Sequence, residues 1–213
     1  MARITQIVEQ KRRANRRSVF INGRFAFGCS VTVIARFRLR EGMEVSAEKL
    51  RQIELGVVKQ ECFDKAMSYL QSRLHSAREL RRKLARQEWG EAVIDAVVED
   101  LTRLGYLDDA RFAKTKALSA AEHRKHGRRR AFVELIKSGV NGDVAQKALD
   151  QVYETHDSTS VARELAMKQK ARLSKLDPLV ARRRLVGMLQ RRGFDYDAIR
   201  PVIDEVLGSR GDD

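Results

Sequence analysis

The strongest constraint on the fold is an internal repeat. Leu84, Leu135 and Leu189 superpose at intervals of 51 and 54 residues, and the positions after them stay in step. Trp89, Val140 and Phe194 coincide, followed by Val93, Val144 and Ala198, then by Val97, Ala148 and Val202. Val98, Leu149 and Ile203 follow, and Leu101, Val152 and Val206 close the series. Self-similarity at such a period marks a chain built from like units, each too small to bury its apolar face alone. Three copies of a three-helix unit account for the spacing, each with a first helix ahead of the aligned pair. Gly139 and Gly193 share one position, where a helix must stop and the chain turn, and Glu88 replaces them in the first copy.

Composition agrees with helices over this region. From about Gly56 onward glycine is sparse, Pro178 and Pro201 are the only prolines, and apolar residues recur at spacings of three and four. Ser76-Ala77-Arg78-Glu79 fits a capping box, which predicts a helix starting at Ala77. Gly105 is expected to end the last helix of copy one, and Asp108 to cap a helix over Ala110 to Leu118. Asp195 is expected to cap the final helix, in which Pro201 either forces a kink or marks a later start. Trp89, Val140 and Phe194 read as core plugs just after helix ends, in preference to platforms for stacking bases.

The first 57 residues have a different texture. They carry 12 basic and 5 acidic side chains, and their β-branched and aromatic runs at Ile4 to Val8 and Ser18 to Phe27 include Asn22-Gly23, the strongest short signal for a tight hairpin turn. A helix over Val31 to Leu39 capped by Ser30, a strand at Met43 to Val45 and a helix opened by Ser46 complete a small α+β module. Phe20, Phe25 and Phe27 are expected in its core, and Tyr106 is expected to pack at a helix junction with its hydroxyl reaching solvent. The boundary at Gly56-Val57 is either a hinge or a continuous junction. The expected fold is therefore mainly α, with a β-hairpin module at 1–57 and helical repeats at 58–108, 109–156 and 157–213.

Charge points to the partner. Lysine and arginine total 43 against 29 acidic residues, a net +14, and such an excess favours a polyanion by releasing its condensed counterions. No run approaches the roughly 18 apolar residues of a spanning helix, and Met1-Ala2-Arg3 opens no signal peptide, so a cytoplasmic protein without a membrane partner is expected. Cys29 and Cys62 have no ligand spacing and read as free thiols. Arg78, Arg129 and Arg183 share one repeat position, and Arg86, Lys137 and Arg191 share another eight residues on. On one helix these lie roughly 12 Å apart along the axis and about 80° apart around it, so stacked copies would form a basic ladder. Arg82, Arg124, Lys125, Arg128, Arg130, Arg182, Arg184 and Arg192 thicken it. Long basic side chains on helices are more often a solvated face with acidic neighbours. Near Arg128 to Arg130, however, Glu134 is the only acid within a helical turn or so.

Sites for chemistry exist only on paper. Asp108-Asp109 is explained by capping, and His123-x-x-His126 has the spacing of a metal pair but no third ligand nearby. There is no phosphate-binding glycine loop, nucleophile elbow or paired-carboxylate pattern, so neither a cofactor nor enzymatic activity is expected.

Over nearly its whole length the sequence resembles the RecX family. The likeness is carried by Arg78-Glu79-Leu80 with Lys83-Leu84, by Val97-Val98 and Leu101, and above all by Leu104-Gly105-Tyr106-Leu107-Asp108-Asp109 with Phe112-Ala113. Val19-Phe20-Ile21-Asn22-Gly23 and Phe25-Ala26-Phe27-Gly28 resemble the β-containing extension of its longer members. The resemblance implies three tandem three-helix repeats in a curved solenoid. It also implies a monomeric regulator of recombination and DNA repair in the SOS response, seated in the groove of the RecA recombinase filament. The ligands would be the filament and its single-stranded DNA, with duplex DNA as a further ligand. A helix-turn-helix-like reader of duplex DNA and an RNA-binding repeat are the alternatives from charge and helices alone.

Overall fold

The computed structural model describes residues 2–11 and 13–208. The chain begins with an antiparallel sheet of strand order β3-β2-β1-β4, formed by β1 (Ala2–Gln10), β2 (Arg13–Ile21), β3 (Arg24–Ser30) and β4 (Glu44–Val45). Asn22 and Gly23 turn β2 into β3 with φ of 50° and 76°, the left-handed pair that this hairpin demands. The Ser30 hydroxyl accepts from the Val33 N–H to start α1 (Val31–Phe37), and Ser46 accepts from the Lys49 N–H to start α2 (Ala47–Ser72).

Helix α2 is unbroken across Gly56, so the junction at that point is a continuous helix. Its first half closes the module, where Ile53 and Val57 pack with Ile4, Val19, Cys29, Val33, Leu39 and Val45. Gly56 lets the Phe37 ring lie directly on the helix, since a Cβ there would come within 2.4 Å of the ring edge. Arg16 on β2 pairs with Glu61 of α2 at 2.6 Å. Phe27 packs against this core as expected, but the expected place of Phe25 is corrected. Phe25 is 60% exposed and meets Phe20 edge to face at 5.9 Å, because a register irregularity between Val19 and Phe20 interrupts the strict alternation of faces. Both cysteines are free and buried, which pushes each thiol up to about 11.

Three three-helix repeats follow. Their first helices are α2, α5 (Asp109–Glu122) and α8 (Ser158–Leu173), and their middle helices are α3 (Ala77–Leu84), α6 (Arg128–Lys137) and α9 (Pro178–Arg191). The last helices are α4 (Glu91–Arg103), α7 (Gly142–Tyr153) and α10 (Tyr196–Leu207). The superposed positions are the buried ones: Val97, Val98 and Leu101 in α4, Ala148, Leu149 and Val152 in α7, and Val202, Ile203 and Val206 in α10. Val140 and Phe194 are buried plugs and Trp89 is half-buried, while Tyr106 is exposed, contrary to the expected packing.

The chain divides into one unit of residues 1–73 and 80–106 and a second of 74–79 and 107–213. Within the second, Asp108 caps α5 by accepting from the Ala110 and Arg111 N–H groups. Asp195 stands at the N-cap of α10 without a side-chain capping bond, and the helix runs through Pro201 from Tyr196.

Candidate nucleic-acid interface

The middle helices carry most of the candidate cations, and two equivalent junctions position them. At one, the Ser76 hydroxyl, which also accepts from the Glu79 N–H, donates to the Ser138 carbonyl at 2.5 Å. At the other, the Gly127 N–H donates to the Arg192 carbonyl at 2.8 Å and the Arg129 N–H to the Gly193 carbonyl at 3.2 Å. Ser76 and Gly127 are repeat equivalents, as are Ser138 and Arg192. Each junction sets the first turn of one middle helix on the last turn of the next repeat's middle helix. At the second, orphan N–H groups meet orphan carbonyls and the two dipoles run head to tail. The approach needs glycine: a Cβ on Gly193, at φ +87°, would fall 2.3 Å from the Arg130 nitrogen. One on Gly139, at φ +85°, would fall 2.4 Å from the Arg78 stem, which packs there. Glu88, the equivalent in copy one, holds the same left-handed conformation at φ 61°.

Six of the fourteen candidates are engaged in ion pairs. Arg124 meets Glu134 at 2.5 Å, Arg130 meets Glu134 at 3.4 Å and Arg129 meets Asp195 at 3.2 Å. Lys125 pairs with Glu164, Arg128 with Asp150 and Arg182 with Asp204. With Lys168 also beside it, Glu164 is held down to about 2 by its hydrogen bond from Lys125. The local shortage of acids around Arg128 to Arg130 is thus made good from α7 and from the start of α10, which corrects the reading of unpaired charge there. The pairs Arg128 with Asp150 and Arg182 with Asp204 are repeat equivalents, each clamping a middle helix to a last helix. Arg192 lies half-buried and donates to the Arg124 carbonyl at 3.3 Å.

The remaining seven, Arg78, Arg82, Arg86, Lys137, Arg183, Arg184 and Arg191, are exposed and have no acidic partner among the described residues. One full repeat position, Arg86, Lys137 and Arg191, is therefore unneutralised in every copy. In the third repeat, Arg183, Arg184 and Arg191 line a groove of about 600 Å³ between α8 and α9, together with Arg172, Leu173, Leu176, Leu185 and Met188. Arg172 was not among the candidates, since it lies apart from both the recurrent positions and the basic blocks beside them. Its signal was the basic last turn of α8, with Lys170 beside it.

His126 sits beneath α6 with Nδ1 3.2 Å from Glu134 and its carbonyl accepting from the Tyr153 hydroxyl at 2.7 Å. Burial, with Arg130, Arg124 and Arg192 around it, pushes the imidazole below its ordinary range, and burial raises the Tyr153 phenol to about 12. Among the described residues no cluster of three His, Cys, Asp or Glu side chains could hold a metal, and no helix is long and apolar enough to cross a membrane.

Comparison with known proteins places four family models along the chain: the regulatory protein RecX N-terminal domain over residues 2–46, and the first, second and third RecX three-helix domains over 62–101, 108–149 and 157–203. A regulatory protein RecX of Chlorobium phaeobacteroides is 33% identical over 69% of this chain and 94% of its own length. The regulatory protein RecX of Bacillus subtilis is 28% identical over 95% of this chain and 76% of its own length. A crystal structure of a regulatory protein RecX superposes with a TM-score of 0.82 at 20% identity, covering 96% of this chain and all of that one, a likeness of fold.

Proposed function

This chain belongs to the RecX family of regulatory proteins, and we propose that it acts by binding the filament that the RecA recombinase forms on single-stranded DNA. Its repeats would occupy the filament groove and bridge successive protomers, opposing the changes that accompany ATP turnover, strand exchange and coprotease action. Repair and recombination in the SOS response would be restrained in consequence. The protein would be a monomeric, cytoplasmic, non-enzymatic binder, and any change in ATP hydrolysis would belong to its partner. The observation that carries this reading is the exposed cation, without an acidic partner among the described residues, at the same place in all three repeats: Arg86, Lys137 and Arg191. A series of like units suits a repeating polyanionic partner.

The test adds the protein to RecA, single-stranded DNA and ATP, and follows ATP hydrolysis and filament length. Wild-type protein is expected to slow hydrolysis, and the triple charge reversal Arg86→Glu, Lys137→Glu and Arg191→Glu to relieve that inhibition. Hydrolysis untouched by the wild-type protein, together with preference for one duplex sequence, would instead identify a sequence-specific DNA reader.

A further inference from the structure

Helix α9 repeats the arginine positions of α6, but its acidic partners are not repeated with them. Arg184 is the equivalent of Arg130, whose partner Glu134 corresponds to Met188 in the third repeat. Arg183 is the equivalent of Arg129, and no described acid takes the place of Asp195 beside it. The result is a groove edged by Arg172, Arg183, Arg184 and Arg191, all exposed and none with an acidic partner among the described residues. Elsewhere some exposed arginines are supplied with acids, Arg163 by Glu205 at 2.8 Å and Arg81 by Asp95 at 2.8 Å, and the other unneutralised candidates, Arg78, Arg82, Arg86 and Lys137, do not line this groove. Four like charges in one concave site repel one another, and an anion that meets several at once relieves that repulsion.

The apolar lining narrows the class of anion. Leu176 and Met188 are half-buried and line the groove together with Leu173 and Leu185, giving it an apolar side beside its guanidinium groups. A free strand offers phosphates on one side and exposed base faces on the other, whereas a duplex hides those faces in its stack. Arg184 and Arg191 are two helical turns apart, about 10.5 Å along one face, or about three nucleotides at the ~3.4 Å rise of a stacked strand. The groove lining has no aromatic side chain on which bases could stack, so the guanidinium groups supply its main attraction for a strand. The neighbouring groove between α9 and α10 is larger, about 900 Å³, but contains Asp204, which pairs with Arg182.

We propose that the groove between α8 and α9 is a phosphodiester-binding cleft for one single strand of nucleic acid, with its guanidinium groups on phosphates and its Leu176 and Met188 side against sugars and bases. The assignment rests on the proposed function only in placing that strand within the filament.

The intact protein is titrated into a fluorescent oligothymidylate and followed by anisotropy. The variant Arg172→Gln, Arg184→Gln, Arg191→Gln is expected to bind at least tenfold more weakly than wild type. The equal charge change Arg81→Gln, Arg128→Gln, Arg163→Gln, all at ion-paired positions, is expected to cost less than threefold. The lysine version of the groove triple keeps the charge and should retain most binding, which separates contact from misfolding. Equal losses from the two glutamine sets, or no loss from the groove set, would overturn the assignment. So would a duplex of the same length bound as tightly as the strand, or complete displacement of the strand by inorganic phosphate at matched ionic strength. RecA hydrolysis is measured in parallel. Wild-type protein that binds the strand through the groove yet leaves hydrolysis unchanged keeps the cleft and removes the filament reading, and the converse result removes the cleft alone.

Discussion

Helices α6 and α9 hold the same place in successive repeats and bear nearly the same run of arginines, yet they present different surfaces. On α6, Arg128, Arg129 and Arg130 each reach an acid, and those acids come from three separate places: α7, the start of α10 and α6 itself. On α9, among the described residues, only Arg182 does so, through a clamp to Asp204 that repeats the clamp of Arg128 to Asp150. Replacement of Glu134 by Met188 removes an acid and adds an apolar side chain at one stroke. Free charge is thus a property of the packed repeat, decided by the facing helix, and cannot be counted from the basic run alone.

The comparison breaks most severely if α6 is unseated from the turn after α9. Gly193→Ala adds a Cβ against backbone at a left-handed residue, and is expected to cost about 3 kcal/mol or more in urea unfolding, as strain and overlap combine. Gly90→Ala, with nothing within 4 Å of the added carbon and an ordinary φ, is the control expected to change stability by less than about 1 kcal/mol.

Exchanging the residue that separates the two surfaces sharpens it. Met188→Glu should pair with Arg184 and weaken strand binding roughly tenfold, about 1.4 kcal/mol. Glu134→Met should free Arg124 and Arg130 and strengthen it. Anisotropy with the same oligonucleotide reads both signs, and two losses would contradict the comparison.

The smallest expected effect is a pH dependence lodged under α6. The folded pKa of His126 lies below its unfolded value near 6.5, so its contribution to stability is fully present above that pH and lost as the pH falls through the window below it. Protonation would add a cation among Arg124, Arg130 and Arg192, with Glu134 alone opposing it. His126→Gln should flatten the change in unfolding free energy between pH 7.5 and 5.5. An unchanged slope would place the titrating group elsewhere.

Much of the fold was legible in the chain because the repeat equates positions, and buried residues at equivalent places announce the same helix three times. Ser30, Ser46, Ser76 and Asp108 marked helix starts that the structure contains. The face of a strand was less legible, since one irregularity beside Phe20 sends Phe25 to solvent. The cations were half legible. Their recurrence is a sequence fact, but neutralisation of Arg129 depends on Asp195, 66 positions on, and no local window connects them. The clamp of Arg128 and Asp150 is legible in the same superposition as the core, since Arg182 and Asp204 recur at the equivalent positions. Arg172 lay apart from the recurrent positions and the basic blocks beside them and needed the groove itself.

The most direct measurement is the slope of log affinity for the oligothymidylate against log salt concentration. The groove triple, Arg172→Gln with Arg184→Gln and Arg191→Gln, should lower the slope by about 2, three contacts at ~0.7 each, while the triple Arg128→Gln, Arg129→Gln, Arg130→Gln on α6 leaves it nearly unchanged. A slope insensitive to the groove and lowered instead by the α6 triple would show that the ion-paired helix, and not the free one, holds the phosphates.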